Sequence, residues 1–103
     1  MAETELAAVR ADLGRRVAAI GSGGASPAEL AREVDAIRAI ARRNGLHPAV
    51  TVAHLLDDAL SRGERGPLVH GWLRLLGDAV ASERSDPAAA RAFAAACAVR
   101  FIG

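Results

Sequence analysis

Apolar residues recur along this chain at steps of three and four, and the recurrence breaks at short polar or glycine-rich links. The pattern predicts an all-α fold: a compact bundle of about five helices at approximately 3–20, 27–43, 48–62, 67–81 and 87–101, joined by short links in a single domain, 1–103. In the first helix Leu6, Val9, Leu13, Val17 and Ile20 form the core stripe, and Gly14 is expected to serve close packing. Arg15 and Arg16 stand near its end, where cations suit the helix dipole. The second helix has the best-marked start. Ser26 is its N-cap, Pro27 takes the first helical position, and Glu29 completes a capping box. Its inner stripe is Leu30, Val34, Ile37 and Ala41, and Glu29, Arg32, Asp35 and Arg38 alternate in charge along its outer side. Asn44-Gly45-Leu46 reads as a helix stop with an apolar clasp.

The third and fourth helices are the expected centre. Ala49, Val52, Ala53, Leu55, Leu56, Ala59 and Leu60 share an arc roughly 160° wide, with Thr51, His54, Asp57, Asp58 and Ser61 opposite. The fourth helix is apolar over a similar arc, leaving His70, Arg74, Gly77 and Asp78, with Gly71, as its polar strip. The fifth, announced by Ser85-Asp86-Pro87, places Phe93, Cys97 and Phe101 on one stripe and mostly Ala elsewhere. A helix so apolar all round is expected to be covered on more than one side, the second side by another subunit.

Composition changes this picture little. Hydrophobic residues make up 51% and charged residues 24%, the balance of a globular chain. Every basic side chain is Arg, a skew expected from the codon bias of a GC-rich bacterial genome, so Arg abundance alone does not point to phosphate recognition. A formal net charge of +1 offers no field to steer the chain to nucleic acid or an anionic membrane. Cys97 is the sole cysteine, which excludes an intramolecular disulfide and fits a buried, inert thiol. The opening Met-Ala-Glu-Thr-Glu is acidic where a signal peptide is basic, and no apolar run is long enough for a membrane span, so a cytoplasmic protein is expected.

Two stretches invite a functional reading. Residues 37–60 have the outline of a helix-turn-helix DNA reader, with Ala41 four residues before Gly45 and with Arg42 and Arg43 placed for phosphate contact. The helical period argues against it. It turns Thr51 and His54 outward where that motif needs inward residues, and it hands base reading to Ala49, Val52, Ala53 and Leu56, with Asp57 and Asp58 close behind. The two Arg equally suit the last turn of a helix. On the third helix, His54 lies three residues before Asp57 and four before Asp58, a spacing at which an imidazole and a carboxylate meet. Such a pair could orient a base or give two metal ligands, but His47 and His70 have no spacing that completes a metal site. The ordinary explanation is a solvated face, with Asp58 paired to Arg62 one turn on. Two carboxylates in the second half of a helix oppose its dipole, and an Arg from another helix or subunit would relieve them.

No nucleophile, cofactor loop or metal set emerges, so no cofactor and no metal is expected. The resulting expectation is a non-catalytic helical interaction or regulatory module. Its partner would be a second copy of the chain or another protein, rather than nucleic acid or a membrane. The fifth helix, through Phe93, Cys97 and Phe101, and the first helix would supply the contact. The alternatives from other classes are the DNA-binding regulator using 37–60 and a small metal-binding or hydrolytic site around His54. Binding candidates are therefore His54, Asp57, Asp58, Arg42 and Arg43.

Overall fold

The chain folds helix by helix where its capping residues direct it. A computed structural model describes residues 3–21, 26–64, 67–82 and 87–101. These form five helices: α1 (Glu3–Gly21), α2 (Pro27–Arg43), α3 (His47–Ser61), α4 (Pro67–Ala81) and α5 (Pro87–Phe101). The all-α expectation is met, and the observed ends lie within one residue of those read from the sequence. At the start of α2, Ser26 accepts from the Glu29 N–H at 3.2 Å, and Glu29 Oε1 accepts from the Ser26 N–H at 3.4 Å. Two helix-start donors, which water alone would otherwise satisfy, are thereby paired. Ser26→Ala is expected to cost about 1 kcal/mol, read as a lower urea midpoint with an unchanged slope.

Two helices end in the same way. After α2, Gly45 takes φ +69°. Its N–H donates to the Arg42 carbonyl at 3.3 Å, and the Leu46 N–H reaches back to Ala41 at 2.9 Å. After α3, Gly63 takes φ +87°, with Gly63 donating to Leu60 and Glu64 to Ala59. Both are Schellman endings, in which a glycine enters the left-handed region that a side chain makes costly. The clasp residue differs. Leu46 is buried, whereas Glu64 uses the same position to bring its carboxylate to the Trp72 indole, whose Nε1 donates to Oε2 at 3.2 Å.

α3 is the centre of the body, packed against α2, α4 and α5, while α1 lies on α4 and α2. The dimensions, 38 × 28 × 17 Å, correspond to about two helix layers in the thin direction. Ala49, Val52, Ala53, Leu56 and Ala59 of α3 meet Val34, Ile37 and Ala41 of α2, all fully buried, with Leu73, Leu76, Ala79 and Val80 of α4 completing the core. Among the described residues every buried side chain is apolar. The alanines matter as much as the leucines, because they let helix axes approach closely and leave little room for rearrangement.

Several charges go elsewhere than the sequence spacing suggests. Glu33 of α2 meets Arg16 of α1 at 3.8 Å, and Arg38 of α2 meets Asp57 of α3 at 3.9 Å, so charges on α2 bridge helices as well as lining its outer side. Arg15 and Arg16 both pair with Asp12, and no basic residue stands in the last turn of α1. Gly14 is not a close-packing site, since a Cβ there would meet nothing within 4 Å. On α5, Ala89 and Ala90 are buried and Phe93 is half-buried against the core of its own chain. The exposed residues of its first turns are Ala88, Arg91, Ala92 and Ala95. The side chains of Cys97 and Phe101, and the Asp86 cap, lie outside the described residues. No described helix is long and apolar enough to cross a membrane.

Candidate functional site

The α2–α3 corner is a rigid structural joint. Besides the Schellman bonds, Asn44 Nδ2 donates to the Ile40 carbonyl at 2.8 Å, which fastens the last turn of α2. Arg42 and Arg43 occupy that last turn, both exposed, where the partial negative end of the helix favours cations. The positions that would read base edges in a helix-turn-helix, Ala49, Val52, Ala53 and Leu56, are each 0% exposed beneath the other helices. α3 therefore offers its His54–Asp58 side to solvent and its reading side to the core.

On that solvent side the imidazole meets one carboxylate. His54 Nε2 stands 3.8 Å from Asp58 Oδ2, with both side chains about half exposed, at 53% and 54%. This distance is too long for a hydrogen bond, and exposed pairs of this kind contribute little. The partner of Asp58 is thus His54. Arg62, expected to pair with Asp58, instead meets Glu64 at 3.9 Å.

Asp57 departs furthest from its expected place. Its side chain is only 19% exposed and lies at the seam between α2 and α3, with Arg38 at 3.9 Å. It lines a cleft of about 380 Å³ together with Asp35, Pro27, Ala31, Leu60 and Ser61. Partial burial, a side-chain hydrogen bond to Asp35 and the negative charge of Asp35 push the Asp57 carboxyl up to about 7, with Arg38 opposing and Asp58 adding to the rise. The Arg from another helix is present, yet it does not cancel the like charges around Asp57. Three of the binding candidates, His54, Asp57 and Asp58, therefore share one helix but split into two environments: a solvated pair and a seam carboxyl. Among the described residues no group of three His, Cys, Asp or Glu side chains is arranged to hold a metal ion.

The second concave feature lies between α1 and α4. Gly14, Val17, Ala18 and Gly21 of α1 and His70, Leu73, Arg74 and Gly77 of α4 enclose a groove of about 450 Å³. Added Cβ atoms at Gly14 and Gly21 would meet nothing within 4 Å, and one at Gly77 would only touch Val17 Cγ1 at 3.7 Å. The sequence places His70, Arg74 and Gly77 on the polar strip of α4, whereas on α1 it marks Val17 as core and Gly14 as a close-packing residue and does not mark Ala18 or Gly21 as part of a groove. The overlooked signal was the run of small residues Ala7, Ala11, Gly14, Ala18 and Gly21, spaced alternately by four and three.

No protein family, curated protein or solved structure matches the chain.

Proposed function

We propose that the protein is a non-catalytic helical interaction module that pairs with a second copy of itself across the α1–α4 groove. The groove carries this reading. Small residues, Gly14, Ala18, Gly21 and Gly77, make up half of its lining beside Val17 and Leu73, with open space above Gly14 and Gly21. The α1 small-residue positions Ala7, Ala11, Gly14, Ala18 and Gly21 follow the four-three spacing of a helix seam. Residues this small let a second helix approach closely, so that many weak dispersion contacts add up.

Charge supports a second copy as the occupant. Arg74 and Asp78 are both exposed and stand one turn apart on α4. Two α4 helices crossing antiparallel about a twofold axis would set each Arg74 against the partner's Asp78, and the pairing repeats by symmetry. The exposed face of α5 is a weaker choice, since its described side chains are three alanines and Arg91 while Phe93 turns toward its own core.

Light scattering on the full chain at tens of micromolar should report a dimer. Gly14→Trp should give a monomer with an unchanged circular dichroism spectrum. Arg74→Asp should weaken association by about tenfold or more, because like charges then face each other twice. Adding Asp78→Arg to that variant should restore it. A monomeric wild-type chain, or a dimer indifferent to both Gly14→Trp and Arg74→Asp, would remove this reading.

A further inference from the structure

The α2–α3 seam contains two carboxyls that share one small cleft, a placement that is costly when both are ionised. Asp57 is largely covered, and it lines the cleft with Asp35, the apolar Pro27, Ala31 and Leu60, and the Ser61 hydroxyl. The charged groups facing it are Asp35 and Arg38 from α2 and Asp58 from α3. None of the residues lining the cleft comes from α4 or α5. Arg38, at 3.9 Å and 35% exposed, is the one cation among these neighbours, and solvent weakens its pull at that distance.

We propose that the Asp35–Asp57 pair is a proton-operated latch on this seam, closed when one proton is shared between the two carboxyls and loosened at the N-terminal half of α2 when both are ionised. In the closed state a protonated Asp57 donates to the Asp35 carboxylate, one short charge-assisted bond tying α3 to α2. Loss of that proton removes the donor and leaves like charges in a partly desolvated cleft. The Asp57 carboxyl is raised from 3.8 to about 7. The folded state therefore holds a proton that the unfolded chain releases over this interval. The latch's contribution is fully present at or below the ordinary carboxyl range, and it is lost as pH rises through neutrality. The loosening begins at α2 because its first turns, Pro27 to Ala31, form one wall of the cleft.

The test is a carboxyl carbon NMR titration of the full chain with amide hydrogen exchange at pH 6 and pH 8.5, corrected for intrinsic rates. Asp57 is expected to titrate near neutrality. Amides of the N-terminal half of α2 are expected to lose about tenfold more protection than those of α4, which is the full linkage limit between these two pH values for a carboxyl raised to about 7. Asp57→Asn should keep the seam bond through its amide and abolish this loss, and Asp35→Asn should return Asp57 toward the ordinary carboxyl range. His54→Asn must leave the loss in place, because His54 pairs with Asp58 on the solvent side of α3 and not with the seam carboxyls. An Asp57 titrating near 4, uniform protection across α2 and α4, or an effect removed by His54→Asn would each overturn the latch.

Discussion

Leu56→Ala is expected to destabilise the fold by about 3–5 kcal/mol, the upper part of the range for a leucine-sized cavity. Leu56 is 0% exposed on the one helix that touches α2, α4 and α5 together. Whether such a hole collapses depends on whether neighbours can move into it. Here Val52, Ala53 and Ala59 flank Leu56 on its own helix, and Ala41 and Ala49 belong to the same buried cluster. Alanines have no rotamers with which to fill space, so most of the hole should persist. A domain of this size has a total stability of about 5–15 kcal/mol, so the variant would be close to unfolding at room temperature. Urea titration followed by circular dichroism reads the change directly. Leu56→Met, which keeps most of the volume, should cost less than about 1.5 kcal/mol. Equal and small effects from both changes would show that α3 is not the packing centre.

Trp72→Ala is expected to cost about as much, roughly 3–5 kcal/mol. The indole is 5% exposed in the core made by α4, and its Nε1 donates to Glu64. Two effects are combined in that figure, and Trp72→Phe separates them. The phenyl ring keeps most of the buried area but leaves the Glu64 carboxylate without the indole donor, which should cost about 1–2 kcal/mol. Glu64 is held at its place by the Gly63 turn. Gly63→Val should therefore disturb the Trp72–Glu64 bond as well as the helix end. With a single tryptophan in the chain, intrinsic fluorescence reports on this bond.

The positions of the five helices were readable because each boundary has its own chemistry. Ser26-Pro27 with Glu29 starts α2, Gly45-Leu46 and Gly63 stop α2 and α3, and Pro67 and Pro87 open α4 and α5. Core assignment was readable for the same local reason, since Val52, Ala53 and Leu56 repeat with the helical period and are buried together. The flanks were not readable. Asp57 stands just beyond the edge of the apolar arc of α3, about 120° from its middle. Nothing in the period of one helix says which edge a neighbour will overhang, and α2 covers the Asp57 edge while leaving His54 and Asp58 in solvent. Gly14 failed in the opposite direction. A glycine inside a helix suggests a close neighbour, whereas the adjoining space is open, because α4 turns its own small and polar strip toward it. Both misses concern what two helices do together. The two clefts that now matter most, at α2–α3 and α1–α4, lie where such pairwise information was needed.

The placement of α1 also fixes an order of events during synthesis. α1 packs against α4 and to a smaller extent α2, and its buried Leu13 and Val17 belong to the common core. It precedes α2 and α3 in sequence, yet its principal partner begins only at Pro67. The α2–α3 hairpin, by contrast, closes between neighbours in sequence and needs little loop entropy. A growing chain can thus complete the hairpin while α1 is still unpaired, its apolar stripe flanked by Asp12, Arg15 and Arg16 in water. Docking of α1 on its principal partner therefore waits until α4 has been made, after the α2–α3 hairpin that separates the two in sequence.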